Sequence, residues 1–243
     1  MTISLKVFAT GAALCLAFTI AACGSDEAGS DVPGFSEAPD VSAITVEATK
    51  LTYLPDQTGG KFHTASVLLR NTSDQVAVDV GGQLSLLNAS GELIESVTPS
   101  PVTILPGELG LLTEEALDLP VAVEKGSIEV DLSVDSFVPP PKQPPVTFSK
   151  VKFERGTEES FGLCKVRGTV MNTFTKPQTD LQLQVATFKK GKFTGGGSTY
   201  IDQVFPGRGA TFKVEFISPS ECSDSVDRIE VMSNLGLDKI TDP

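Results

Sequence analysis

Val67-Leu68-Leu69-Arg70-Asn71-Thr72 returns 101 positions later as Gly168-Thr169-Val170-Met171-Asn172-Thr173. Further landmarks on both sides keep the same order and nearly the same offset. Lys50-Leu51-Thr52-Tyr53 answers Lys150-Val151-Lys152-Phe153, and Gly91 answers Gly191. Ile104-Leu105-Pro106-Gly107 answers Val204-Phe205-Pro206-Gly207, and Ile128-Glu129-Val130 answers Ile229-Glu230-Val231. An ordered match at one offset marks a duplicated unit, and the duplication governs the reading of the fold. The match is weakest between residues 108–120 and 208–220.

Each landmark reads as a strand or a turn. Ala65, Val67 and Leu69 alternate with Thr64, Ser66 and Leu68 until Asn71-Thr72-Ser73 ends the run. Val76, Val78 and Val80 begin a second strand that continues through Leu84 and Leu86. Asn88-Ala89-Ser90-Gly91 and Pro106-Gly107 are turn signals. Ile128, Val130, Leu132 and Val134 share one phase, and Glu129, Asp131, Ser133 and Asp135 the other, so that strand has one buried and one solvated face. No stretch sustains helical periodicity. Roughly seven short strands in about 95 residues predict a β-sandwich, so the expected fold is all-β with two tandem immunoglobulin-like sandwiches. The expected boundaries are residues 44–136 and 147–243. Residues 137–146 form the linker between them. Five prolines within residues 138–145 favour polyproline II, a semi-rigid spacer of about 25 Å. A Gly195-Gly196-Gly197 run reads as a mobile hairpin end.

The first 22 residues carry one charge, Lys6, followed by an apolar run from Val7 to Ile20. That run fits a signal-peptide core and is short for a bilayer span. It closes in Ile20-Ala21-Ala22-Cys23. This resembles the lipobox of bacterial lipoproteins. The resemblance implies cleavage before Cys23, a diacylglyceryl thioether on its sulfur and an exported chain held at the outer face of the cytoplasmic membrane. Transfer to an outer membrane stays open where the host has one. Two acyl chains at about 0.8 kcal/mol per buried CH₂ anchor firmly. Residues 24–43 are polar and acidic with Phe35 as their single large apolar residue, and read as a flexible tether.

A second resemblance lies inside the repeats. Leu84-Ser85-Leu86-Leu87-Asn88-Ala89-Ser90-Gly91 looks like the strand-and-turn signature of FxLYD-type immunoglobulin-like domains, with Leu105-Pro106-Gly107-Glu108 similar to that family's downstream turn. In the second copy the signature place holds Val185-Ala186-Thr187-Phe188-Lys189-Lys190-Gly191, with a turn one residue shorter. The family implies a sandwich fold and an envelope setting, and offers no catalytic residues to carry over.

The net charge is −12, and it is unevenly spread: residues 43–136 hold 14 acids and 4 bases, and residues 142–243 hold 12 acids and 14 bases. With no basic stripe the chain is a poor nucleic-acid binder. The chain has no Trp and one His. The histidine, His63, maps by the repeat onto Cys164, which favours a structural slot over a base or metal ligand. There is no nucleophile elbow, no calcium loop around Glu114, Glu115 and Asp118, and no phosphate loop. No catalytic residue, metal or cofactor is expected. After processing, Cys164 and Cys222 remain as an even pair, which in an exported chain predicts a disulfide. Lys165, Arg167, Lys189, Lys190, Lys192 and Arg208 form a candidate basic patch for an anionic wall polymer, a lipid headgroup or an acidic protein face. The expected function is a non-enzymatic, lipid-anchored envelope protein that presents two sandwiches for binding, its partner an envelope protein or an anionic wall polymer. The alternatives are a carboxylate-based envelope hydrolase and a substrate-binding lipoprotein of a transporter.

Overall fold

A computed structural model describes residues 40–55, 61–119, 123, 125–155, 164–216 and 226–236. The expected signal peptide, Cys23, most of the expected tether and Cys222 lie outside the described residues. Apart from a 3-10 turn at Val41–Ala43, the regular elements among the described residues are all strands. The βα alternation that the transporter alternative requires is not what these residues form.

In the first half, β1 (Ile44–Pro55), β2 (Lys61–Asn71) and β6 (Leu109–Asp118) form one antiparallel sheet with β2 at its centre. The opposing sheet is built on β3 (Val76–Leu87). Its C-terminal half is flanked by β4 (Leu93–Val97) and β7 (Ser127–Ser133), and its N-terminal half by β5 (Val102–Ile104) and β8 (Ser136–Val138). The second half repeats this plan. β9 (Val146–Glu154), β10 (Cys164–Asn172) and β13 (Gly209–Phe216) form one sheet, and β12 (Lys192–Val204), β11 (Gln178–Lys189) and β14 (Arg228–Asn234) the other. The long β12 takes the place that β4 and β5 share. Pro99 and Pro101 lie between β4 and β5 and interrupt that edge, since proline brings no N–H to a ladder. The chain is therefore all-β, two tandem sandwiches, and β8 pairs with the start of β3 through Val138.

The apolar phase read along each strand is the phase that fills a core. Ala65, Val67, Leu69, Leu84, Leu86 and Leu112 fill the first core. Val166, Val170, Leu181, Leu183, Val214 and Phe216 fill the second. The duplication extends to hydrogen bonds. Asn71 and Asn172, each fully buried, hold the same three-way junction. The Asn71 amide donates to the carbonyls of Gln75 at 2.6 Å and Ile104 at 2.9 Å. The Asn172 amide donates to Lys176 at 2.7 Å and Val204 at 3.0 Å. Each side-chain oxygen accepts a backbone N–H two residues on, from Ser73 and Phe174 respectively. The N–H groups of Gly107 and Gly207, at φ 72° and 64°, close on the two asparagine carbonyls. The left-handed turn after the β6-side and β13-side prolines favours glycine for that reason.

Two expectations are corrected. The proline segment does not hold the sandwiches apart, because residues 38–243 form one compact unit. Thr173 ties the segment's end down, its N–H to the Pro145 carbonyl at 3.1 Å and its hydroxyl to that of Pro144. The physical reason for close packing is that β2 and β6 are apolar on both faces. Leu68 and Leu111 point away from the first core and pack with Ala186, Phe188 and Met232 of β11 and β14. Strands buried on both sides read as unbroken apolar runs, and Leu183 through Phe188 are buried without a gap.

The triglycine is also not a hairpin end. Gly195, Gly196 and Gly197 lie within β12, opposite Thr187, Ala186 and Val185. A Cβ on Gly196 would meet the Val185 carbonyl oxygen at 2.0 Å and the Leu111 side chain at 2.9 Å, and one on Gly197 would meet Glu115 Oε1 at 3.0 Å. These glycines let the two sandwiches approach.

Candidate binding surfaces

His63 lies on β2 and is fully buried. Its Nε2 accepts the Val123 backbone N–H at 3.0 Å, and its ring leans on Tyr53 with centroids 5.0 Å apart. A nitrogen so engaged is a structural acceptor, out of reach of a substrate. Cys164, at the equivalent place on β10, is 2 % exposed and opposes Phe216.

Of the acids singled out in the sequence, Glu114, Glu115 and Asp118 all fall on β6. Glu115 Oε1 accepts the Ser198 backbone N–H at 3.2 Å, joining β6 to β12. Desolvation raises the Glu115 carboxyl above its ordinary value; the Ser198 N–H opposes that shift and the neighbouring Glu114 charge adds to it. Among the described residues no group of three or more His, Cys, Asp or Glu is placed to hold a metal. Beside Glu115 the seam between the sandwiches opens into a cleft of about 230 Å³ lined by Thr113, Glu114, Gln182, Ser198 and Tyr200. The Tyr200 side chain, 63 % exposed, escaped the sequence reading; its only signal was an aromatic at a polar phase of β12.

The six predicted basic residues are not brought together. Lys165 and Arg167 project from the outer face of β10, where Lys165 pairs with Glu215 at 3.1 Å and Arg167 with Glu154 at 3.0 Å. Lys189, Lys190 and Lys192 sit at the tight β11–β12 turn of the other sheet, where Lys190 and Gly191 take φ 51° and 72° as a two-residue hairpin requires. Arg208 precedes β13 at the end that opposes Met171, the far end of β10 from Lys165, and its guanidinium lies 6.0 Å from the Phe205 ring.

The structure adds cations that the sequence reading left out. Cross-strand register sets Lys152 of β9 and Lys213 of β13 on either side of Arg167. With Lys150, Gly168, Thr169 and Thr211 they border a shallow groove of about 460 Å³. Lys165 and Lys213 share Glu215, whose carboxyl is lowered by those two ammonium groups, with Lys213 the larger influence. The face thus carries Lys150, Lys152, Lys165, Arg167 and Lys213 against Glu154 and Glu215.

Neither a protein-family model nor a curated protein matches the sequence. Among solved structures, the chain is similar to the exo-chitosanase of Amycolatopsis orientalis at 12 % identity and a TM-score of 0.27, over 77 % of this chain and 26 % of that one. It thus spans about a quarter of that enzyme's length. It is also similar to the tandem CBM22-1–CBM22-2 domain of Paenibacillus barcinonensis Xyn10C at 10 % identity and a TM-score of 0.16, over 82 % of this chain and 87 % of that one.

Proposed function

We propose that this chain is a lipid-anchored, non-enzymatic protein of the bacterial cell envelope that binds a partner through its paired sandwiches. One observation carries the binding role: the sandwiches lock into a single body whose β9-β10-β13 outer face stays open and strongly charged. A rigid scaffold holds the groups of such a face in fixed positions, and function lives in sites of that kind rather than in the fold. The reading is supported further by the Ile20-Ala21-Ala22-Cys23 stretch, the acidic tether behind it and a lone histidine engaged in the interior.

The anchor predicts a sharp result. A Cys23→Ser chain expressed in a bacterial host moves from the membrane to the soluble fraction and loses metabolic palmitate label. Unchanged membrane fractionation of that variant would overturn lipid anchoring. The binding role is tested by co-isolation of the full mature chain with envelope components under mild detergent. Recovery of no specific partner in that experiment argues against it.

The same export route supports a Cys164 and Cys222 disulfide. Closing a loop of that length stabilises by about 4 kcal/mol in the chain-entropy view. Dithiothreitol should therefore lower the urea midpoint of the native chain while leaving a Cys164→Ala/Cys222→Ala variant unmoved. Equal midpoints for the native chain with and without reductant would count against the pair.

A further inference from the structure

We infer that the outer face of the β9-β10-β13 sheet binds a linear polyanion, a polymer that carries a phosphate or carboxylate on each repeat. This rests on the binding role proposed above and gives it a place and a ligand chemistry.

The first observation is register. Lys152, Arg167 and Lys213 stand side by side on three neighbouring strands, at strand spacings of about 4.8 Å. Like charges directly opposite one another on a sheet face are destabilising. Glu154 and Glu215, one rung away, offset Arg167, Lys165 and Lys213. Lys150 and Lys152 make no ion pair among the described residues, so the face keeps an excess of three positive charges on a chain whose net charge is −12.

The second observation is a bulge. Between the pairs Lys152↔Arg167 and Ser149↔Thr169 the β9 register slips, and Lys150 takes φ 55°. Bulges re-aim side chains, and a lysine in the left-handed region is held there against its preference. Lys150 lines the groove beside Lys152.

The third observation is the internal control that the duplication supplies. The repeat offset sets Arg167 against Ser66, Thr169 against Leu68, Thr211 against Leu111 and Lys213 against Thr113. In the first sandwich this same face holds no cation at those places, although Lys50 stands opposite Ser66 as Lys152 stands opposite Arg167, and Leu68 and Leu111 are covered by the second sandwich. The fold does not need the positive charges of Arg167 and Lys213, whose places Ser66 and Thr113 fill in the first sandwich. An end sheet needs only polarity to stay soluble, which uncharged or mixed residues would supply.

Shape favours a polymer over a bilayer. The cations flank a groove with Gly168 in its lining, which suits a chain laid across the strands. Among the described residues of these three strands, Met171, 44 % exposed, is the one large apolar side chain that this face offers for insertion.

The test uses the full mature chain in neutral detergent, with inorganic polyphosphate and polygalacturonate as probes and vesicles containing phosphatidylglycerol as a third arm. Binding at 50 mM salt to either polymer is expected, weakening about tenfold by 200 mM as counterion release requires. A Lys152→Glu/Lys213→Glu variant should lose at least tenfold. A Lys125→Glu/Lys142→Glu variant with the same charge change and the same circular dichroism should lose under threefold. The inference is overturned by absence of polymer binding, by equal losses in the two variants, or by binding to vesicles alone. A chain that binds neither polymer yet co-isolates with a specific envelope protein sinks this inference and leaves the binding role standing.

Discussion

Replacing Asn172 with alanine should destabilise the second sandwich by about 2–4 kcal/mol, because two buried backbone groups and one part-buried carbonyl lose their partners at once. The Lys176 and Val204 carbonyls and the Phe174 N–H all meet this one side chain, which is fully shielded from water. Asn71→Ala repeats the experiment in the first sandwich, where Ser73 also gives its hydroxyl to the same oxygen at 2.7 Å. Asp in place of either asparagine should be worse than alanine at neutral pH, since a carboxylate would face two carbonyl oxygens with no proton to offer. Urea unfolding checks this: the midpoint should fall with little change in slope. A midpoint shift worth less than about 1 kcal/mol for both alanine variants would show that the junctions are incidental.

Those junctions explain why the duplication was legible. An asparagine followed by threonine, and a Pro-Gly turn some 35 residues on, recur because a strand end, a turn and a neighbouring edge must meet at one polar side chain. Alternation along Ala65, Val67 and Leu69, or Val166 and Val170, follows from the two-residue period of a strand and needs no knowledge of the partner sheet. The seam was not legible for the opposite reason. Leu68 beside Leu69, and Leu111 beside Leu112, show that both faces of β2 and β6 are apolar, yet composition cannot say what covers the second face. The run of prolines suggests separation, and the contacts across the seam, from Leu68 and Leu111 to the Glu115–Ser198 bond, decide against it. The basic face was half legible. Lys165 and Arg167 share a phase on one strand, whereas their alignment with Lys152 and Lys213 depends on cross-strand register, which is non-local. Lys189, Lys190, Lys192 and Arg208 are near in sequence terms but lie at turns of other edges.

The seam gives the second large effect. β6 is the edge of its sheet, and the Leu111 N–H and carbonyl on that edge are met by one side chain: Gln184 accepts the N–H at 3.2 Å and donates to the carbonyl at 2.6 Å. Gln184 is 3 % exposed, so Gln184→Ala strands two buried backbone groups and should lower stability by about 2–4 kcal/mol. Leu111→Ala removes the apolar contact beside it and should lower stability by about 2–5 kcal/mol. The form of the change distinguishes a seam from an ordinary core. Val67, Leu84 and Leu86 lie in one interior, and Val166, Leu183 and Phe216 in another that also takes in Val76 and Val78 from the start of β3. Weakening the layer between them should uncouple two units that otherwise melt together. Native protein is expected to unfold in one urea transition, and a Gln184→Ala/Leu111→Ala double variant in two. Phe216→Ala, aimed at the second interior alone, should lower stability by about 3–5 kcal/mol while the native coupling drags the first sandwich down with it. Should the double variant keep a single transition at the native midpoint, the contact between the sandwiches contributes nothing to their stability, and a body built from two independent units would have to replace the one described here.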